Sequence, residues 1–265
     1  QEVEDVWVPE EGEDGDYISF GTKLLFTCEE LPGLSVAAEI CEDVWVPNPP
    51  SIGHALAGAT VIVNCSASDE TTGKNLYRES LIGGQSARLV CGYIYANAGE
   101  GESSQDLVFG GHRIIAENGT ILKQEKNFQA GILYSELDLH RIVSERRRMS
   151  SFIPEEKQFY TRAHFSLKEE EANLTRTFES LPFVPQDKTK RDERCEEILS
   201  IQSYGLKKRL EHTGCQHAVI GVSGGLDSTL ALLVTVRTFE LLGLDKKGIF
   251  GVTMPCFGTT DRTFD

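Results

Sequence analysis

The sequence predicts an α/β protein in two parts, and three patterns predict it. Short apolar runs alternate with helical stretches through the first half, and antiparallel hairpin signals follow them. Near the end, an apolar strand, a glycine turn, a long apolar helix and a second apolar strand form one βαβ unit. At 265 residues the chain has room for one large domain or two ordinary ones, and its 40% hydrophobic and 25% charged content is that of a soluble globular protein. No apolar run approaches bilayer-spanning length, and the N-terminus is acidic where a signal peptide would be basic. A net charge of −15 argues against a nucleic-acid backbone as partner. A small phosphorylated ligand held by backbone N–H groups and a cation remains compatible with it. The seven cysteines form no C-x-x-C pair, which indicates reduced, cytoplasmic usage rather than a zinc site or a disulfide framework.

Taken in order, the first sixteen residues carry eight carboxylates and no lysine or arginine, and are expected to be a solvated loop. Residues 22–27 and 34–40 are strand-length runs separated by Pro32-Gly33. Cys41 ends the second run, and a proline-rich turn and a helix over about 51–58 follow. A cysteine there can be exposed at a tight elbow, the geometry that presents a nucleophile. An ordinary buried thiol is the simpler alternative. Glu42 and Asp43 would raise the pKa of a neighbouring thiol, so a nucleophilic Cys41 needs a base or positive charge from elsewhere.

Residues 60–65 read as a strand, and 75–89 as a helix with Leu76, Leu81 and Ala87 on its apolar side and Gly83-Gly84 in its middle. Short strands are expected at 92–96 and 106–109, and strands 112–116 and 120–124 flank the hairpin signal Asn118-Gly119. Residues 130–137 complete the set. Leu139, Ile142, Val143 and the run Arg146-Arg147-Arg148 read as a helix whose arginines form a solvated or inter-subunit face. Residues 151–194, with irregularly spaced phenylalanines, read as a connector without its own core. A helix from about Asp192 carries Cys195, Ile198, Leu199, Gln202, Leu206 and Leu210 at helical spacing and stops near Gly214.

The run 217–222 leads into Ser223-Gly224-Gly225-Leu226-Asp227-Ser228, then a helix ended by Gly243 and a strand over 248–254. Two glycines let the backbone curl around a bulky group, and the N–H groups of the following helix favour an anion. Ser223 and Ser228 add hydroxyl donors, and Asp227 would hold a divalent cation bridging to a phosphate. No lysine lies between Leu210 and Lys246, so this is not a Walker loop.

The S-G-G-x-D-S segment resembles the pyrophosphate loop of the ATP pyrophosphatase superfamily, which implies cleavage of ATP between the α and β phosphates. Glu39-Ile40-Cys41-Glu42-Asp43, Pro47-x-Pro49-Pro50-Ser51, Leu56-Ala57-Gly58-Ala59-Thr60 and Asn64-x-Ser66-Ala67-Ser68 resemble the nitrilase-type glutaminase domain. Tyr93-x-Tyr95-Ala96-x-Ala98-Gly99-x-Gly101-Glu102-Ser103 and Ala116-Glu117-Asn118-Gly119 continue that pattern. Joined to the ATP loop over about residues 20–265, the combination is similar to the glutamine-dependent NAD(+) synthetase family.

That resemblance implies the C-terminal part of an α-β-β-α nitrilase-like sandwich over 1–140, a connector over 141–191, and the first βαβ unit of a Rossmann-like ATP pyrophosphatase domain over 192–265. It implies a chain truncated at both ends. Cys41 is then the thiol that attacks the glutamine carboxamide, and Ser68 and Lys74 contact glutamine, although Lys74 also fits a solvated charge at a helix start. Gly221, Val222, Ser223, Gly224, Gly225, Leu226, Asp227 and Ser228 would hold the pyrophosphate, with Asp227 on Mg2+ and the backbone after the second strand near the adenine. The family's glutamate and lysine partners of the cysteine lie upstream, and no residue among the first forty matches them; Lys23 begins a strand. The expected reaction is ATP-dependent amidation of deamido-NAD to NAD with ammonia from glutamine, by a homo-oligomer with an internal passage for ammonia. A catalytically silent piece that keeps nucleotide binding, or a carbon–nitrogen hydrolase with an appended domain, are the alternatives.

Overall fold

The computed structural model describes residues 4–8, 15–102, 106–125, 128–154, 160–168, 170, 173–178 and 180–254. The chain divides into two compact units, residues 1–177 and 178–265. Ser103 of the expected motifs, Phe159 among the connector's phenylalanines, and the Pro255 that follows the last strand lie outside the described residues.

Unit 1 opens with a hairpin of β1 (Glu4–Val8) and β2 (Asp16–Phe20). This corrects the expected loop: V-W-V and Y-I-S-F are rich in β-branched and aromatic residues, and Val6 opposite Ile18 and Trp7 opposite Tyr17 make cross-strand pairs that outweigh the carboxylates around them. The main element is a seven-stranded sheet. Its central strands β4 (Ser35–Ile40), β5 (Val61–Ser66) and β6 (Gly92–Asn97) run parallel. β7 (Arg113–Glu117) and β8 (Thr120–Glu125) continue one side antiparallel, joined by Asn118 and Gly119 at φ 44° and 87°, the left-handed pair a type I′ turn demands. On the other side β3 (Leu24–Cys28) pairs antiparallel to β4.

The seventh strand, β9 (Thr161–Phe165), lies parallel to β3 and falls within the stretch expected to be a connector. Arg162 secures it by donating to the Ala57 carbonyl at 3.2 Å and Thr27 Oγ1 at 3.4 Å, a partnership no local pattern announces. Two expected strands are not formed. Of residues 106–109 only Phe109 makes a ladder bridge, to Asp69. Residues 130–137 stay outside the sheet: Gly131 sits at φ 136°, and the Arg113 guanidinium takes the carbonyls of Gln129 and Gly131 that a strand partner would need.

Helices α1 (Pro50–Ala57) and α2 (Lys74–Leu89) supply the core with the sheet residues Ala37, Ile62, Tyr93, Tyr95, Ile114 and Ala116. The face α2 buries is Arg78, Ile82, Gln85, Ser86 and Leu89; of the expected side Leu81 packs against the core, while Ala87 is exposed and Leu76 is 61% exposed. The cause is tertiary. Gly83 admits the Ile121 methyl, and Ser86 Oγ donates to the Cys91 carbonyl and accepts from Gly119 N–H, both at 3.1 Å. Gln85 also donates to Ser51 Oγ at 2.9 Å. Helix α3 (Leu139–Arg148) forms as expected, capped by Asp138, but its arginines are not all a solvated face. Arg146 donates to the carbonyls of Leu89 and Val90, both at 2.9 Å, and lies over the Phe152 ring. It thereby satisfies the C-terminal end of α2.

Unit 2 contains α4 (Lys188–Thr213), capped by Asp187 and ended by Gly214 at φ 69°. Leu199, Ser203, Leu206 and Leu210 form its less exposed stripe, while Cys195, Ile198 and Gln202 stay exposed. β10 (Ala218–Gly221) and β11 (Ile249–Val252) are parallel and joined through α5 (Leu226–Leu242), which Gly243 terminates. Among the described residues no helix is long and apolar enough to cross a membrane, and the six cysteines there are all free thiols.

Candidate active site

In unit 1 the polar side chains gather where ligands bind in parallel sheets, at the carboxyl ends of strands. Register explains it: Glu39, Asn64 and Tyr95 stand in one row across β4, β5 and β6, and Ser66 pairs with Asn97 two residues further along the same strands. Cys41 follows the end of β4 and opens a 3₁₀ turn (Cys41–Trp45) at φ 52°, a left-handed conformation that costs a residue with a Cβ about 1–2 kcal/mol. That φ turns the chain out of the sheet and leaves the thiol half-buried rather than sealed in the core. The expected elbow is formed.

The strain is held by its neighbours. Asn64 Oδ1 accepts the Cys41 N–H at 3.1 Å, and Asn64 Nδ2 donates to the Cys41 carbonyl and to the Tyr93 hydroxyl, each at 3.4 Å. Asp43 turns back to accept the Ile40 N–H at 2.8 Å. Buried Glu39 accepts from the Tyr93 hydroxyl and, at 2.8 Å, from the Ser51 N–H at the start of α1. Burial, and then the Glu39 charge, push the Tyr93 phenol far above its ordinary value, so it serves as a proton donor to Glu39. Cys91, sealed in the core, has its thiol pushed up to about 12 by burial. Half-exposed Cys41 has the better access.

Cys41 faces a cavity of about 420 Å³ that Glu42, Trp45, Ala67, Ser68, Asp69 and Lys74 also line. The structure therefore brings together the three residues expected to act on glutamine. Lys74 Nζ is 2.7 Å from Asp69 and 5.8 Å from the centre of the Trp45 ring, which stacks on Tyr77. The hydrogen bond from Lys74, and then its charge, hold the Asp69 carboxyl below its ordinary value. Asn97 clamps the Ser68 backbone on both sides, accepting its N–H at 2.8 Å and donating to its carbonyl at 2.9 Å. The wall thus offers a hydroxyl and an ammonium within one cavity with a thiol, suited to a polar molecule carrying acceptor oxygens.

Sequence reasoning quoted Glu39, Asn64 and Tyr95 without giving them a role, and missed Arg78 and Asn97. Arg78 left one trace: it precedes Ile82, Gln85, Ser86 and Leu89 at helical spacing, so a cation belongs to the buried face. Nothing comparable marked the others.

In unit 2 the Ser223–Ser228 loop leaves the carboxyl end of β10, with Gly224 at φ 76° and Gly225 as the N-cap of α5. The two serines face each other across it: Ser228 Oγ is 3.3 Å from Ser223 N and 3.4 Å from Ser223 Oγ. Ser228 also donates to the Gly225 carbonyl at 3.0 Å, pinching the turn that exposes the first N–H groups of α5. Asp227 is exposed in that first turn, and Thr253 and Met254 follow β11 at the same edge, the Met254 methyl 3.6 Å from where a Gly221 Cβ would stand. Among the described residues no group of three or more His, Cys, Asp or Glu could hold a metal. A lone carboxylate beside phosphate oxygens nevertheless suits Mg2+, which keeps few protein ligands.

The carbon–nitrogen hydrolase family matches residues 3–147 of this chain, and the NAD synthase family matches residues 198–264. The glutamine-dependent NAD(+) synthetase of Mycobacterium bovis is 40% identical over 259 residues, which cover 94% of this chain and 38% of that protein. Its counterpart in Mycobacterium leprae is 41% identical over 254 residues, covering 92% and 37%. That of Thermotoga maritima is 29% identical over 251 residues, covering 94% and 41%. The chain spans about two-fifths of the length of these relatives.

Proposed function

Because the chain belongs to the carbon–nitrogen hydrolase family and carries a match to NAD synthase beyond it, we propose that it serves the glutamine-dependent amidation of deamido-NAD to NAD. One observation carries the reading: a strained cysteine elbow opens onto a polar cavity in the same chain as an S-G-G-L-D-S strand-to-helix turn. The Cys41 thiolate attacks the carboxamide carbon of glutamine, the C–N bond breaks as the leaving nitrogen takes a proton, and ammonia departs. The γ-glutamyl thioester left on Cys41 is cleaved by water. Ser68 and Lys74 orient the glutamine. In the family a glutamate and a lysine upstream of the cysteine manage the protons.

The second chemistry belongs to residues Gly221 to Ser228, whose N–H groups and hydroxyls face the pyrophosphate of ATP while the carboxylate of deamido-NAD takes the AMP. Ammonia then displaces AMP. Asp227 would hold Mg2+ with the phosphates, and the ion supplies charge neutralisation there. A cytoplasmic homo-oligomer goes with this reading, with the expected limits 1–140, 141–191 and 192–265 amended so that the first part runs on through β9.

Two binding measurements test it without requiring turnover. A γ-diazoketone analogue of glutamine should label Cys41 once per chain, glutamine should protect, and Cys41→Ala should abolish labelling. ATP with Mg2+ should bind the chain and lose about tenfold or more in affinity on Asp227→Asn. Labelling spread over Cys65 and the other exposed thiols, or unprotected by glutamine, would refute the glutaminase half. Unchanged ATP affinity in the Asp227 variant would refute the cation site.

A further inference from the structure

Arg78 is wholly buried, and so is His112 beside it. Burying a guanidinium costs several kcal/mol that an ion pair only partly returns, so the position calls for a reason other than stability. Each arm of the group has a separate partner. Nη1 donates to Glu70 Oε1 at 2.6 Å and to His112 Nδ1 at 3.2 Å, while Nη2 donates to Ser68 Oγ at 3.3 Å. The plane lies 5.8 Å from the centre of the Tyr95 ring.

Arginine has five donors and no acceptor, which sets the direction of every bond in this cluster. His112 must accept through Nδ1, so its proton sits on Nε2 and goes to Gln124 Oε1 at 3.4 Å. Ser68 must also accept, which fills one lone pair of Oγ and turns its O–H away from Arg78, toward the Tyr95 hydroxyl and the cavity in front of Cys41 that the side chain lines. The Tyr95 hydroxyl beside it donates to Asn97 Oδ1 at 3.5 Å. Glu70, Arg78's other partner, is fixed through its N–H to the Val108 carbonyl at 2.7 Å, so the loop between Ser68 and Glu70 is tied at both ends.

We propose that Arg78 is a positioning residue for the amide site: it fixes the Ser68 hydroxyl as a donor to an acceptor oxygen of the substrate held against Cys41. The inference rests on the glutaminase reading and adds to it a specific residue, outside the cavity, that decides how tightly substrate is held. Arg78 touches no substrate. The part of its effect proposed here passes through Ser68, which the comparison with Ser68→Ala separates from its hold on Glu70 and His112.

The test compares Ser68→Ala, Arg78→Lys, Arg78→Met and the double variant S68A/R78M in the same chain. Labelling of Cys41 by the γ-diazoketone analogue gives a half-saturating concentration and a maximal rate. Methyl methanethiosulfonate, which carries no amide, reads the intrinsic reactivity of the thiol. Ser68→Ala and both Arg78 variants should raise the half-saturating concentration about tenfold, and the double variant should be no worse than either single one. Arg78→Lys keeps the charge opposite Glu70 but lacks the fork that also reaches Ser68, so it should behave like Arg78→Met. The methanethiosulfonate rate should stay within about twofold of the parent.

Additive losses, wild-type affinity in Arg78→Lys, or an equal fall in methanethiosulfonate reactivity would overturn the proposal. If Arg78→Met does not fold, Arg78→Lys with Ser68→Ala decides; if Arg78→Lys does not fold either, the residue is scaffold and the proposal fails. Failure of the parent chain to be labelled at Cys41 would instead bring down the glutaminase reading itself.

Discussion

Replacing Cys41 by glycine should leave unit 1 more stable than replacing it by alanine, a reversal of the ordinary order. Both variants lose the thiol, so their difference isolates the backbone. At φ 52° a Cβ crowds the following carbonyl, at a cost of about 1–2 kcal/mol, and glycine escapes that cost. Against it stands the greater conformational freedom glycine loses on folding, about 0.5–1 kcal/mol relative to alanine. The neighbours do not relax the angle, because Asn64 grips both the N–H and the carbonyl of residue 41, and Asp43 holds the N–H of Ile40. Glycine should therefore lead by about 0.5–1 kcal/mol, or about 1–4 °C in Tm for a unit of this size. Both tryptophans of the chain, Trp7 and Trp45, lie in unit 1, so fluorescence-monitored unfolding reads that unit. An alanine variant as stable as the glycine one, or more so, would show that the elbow stores no backbone strain.

Three further outcomes are expected. Burial lowers the pKa of His54 and His112 below the ordinary histidine value, so the folded chain protonates them only at lower pH than the unfolded one does. As pH falls through about 6.5 the unfolded chain takes up protons the folded one refuses. The urea midpoint of unit 1 should be highest above pH 6.5, fall below it, and level off under the depressed folded values; a midpoint flat between pH 7.5 and 5 would contradict this. Gly248→Ala places a Cβ 2.6 Å from the Gln216 carbonyl oxygen and should destabilise unit 2 by about 1–3 kcal/mol, seen as a circular-dichroism loss that tryptophan fluorescence does not share. Arg146→Met removes the charged donor from the Leu89 and Val90 carbonyls and should cost about 2 kcal/mol, with hydrogen exchange quickening first in the last turn of α2.

Wherever residues adjacent in the chain settle the matter, the reading from sequence holds. Asn118-Gly119 is a hairpin turn because both residues tolerate φ > 0 and the flanking runs pair antiparallel. Gly214 and Gly243 stop their helices for the same stereochemical reason. The two departures in residues 130–137 and 161–165 have one cause: whether an extended segment becomes a strand depends on a distant partner. Residues 161–165 find the free side of β3, whereas the carbonyls of Gln129 and Gly131 are taken by Arg113.

The sequence by itself determined the elbow at Cys41 and the serine and glycine turn before α5, because strand ends, φ > 0 positions and helix N-termini are local properties. Tertiary structure alone decided which side of α2 is buried and which polar groups meet behind the cavity. Asn64 lies 23 residues from the cysteine it grips, and His112 lies 34 from Arg78. The parallel register of β4, β5 and β6 brings Asn64 to Cys41, the packing of α2 on the sheet brings Arg78 to His112, and burial then makes such bonds obligatory.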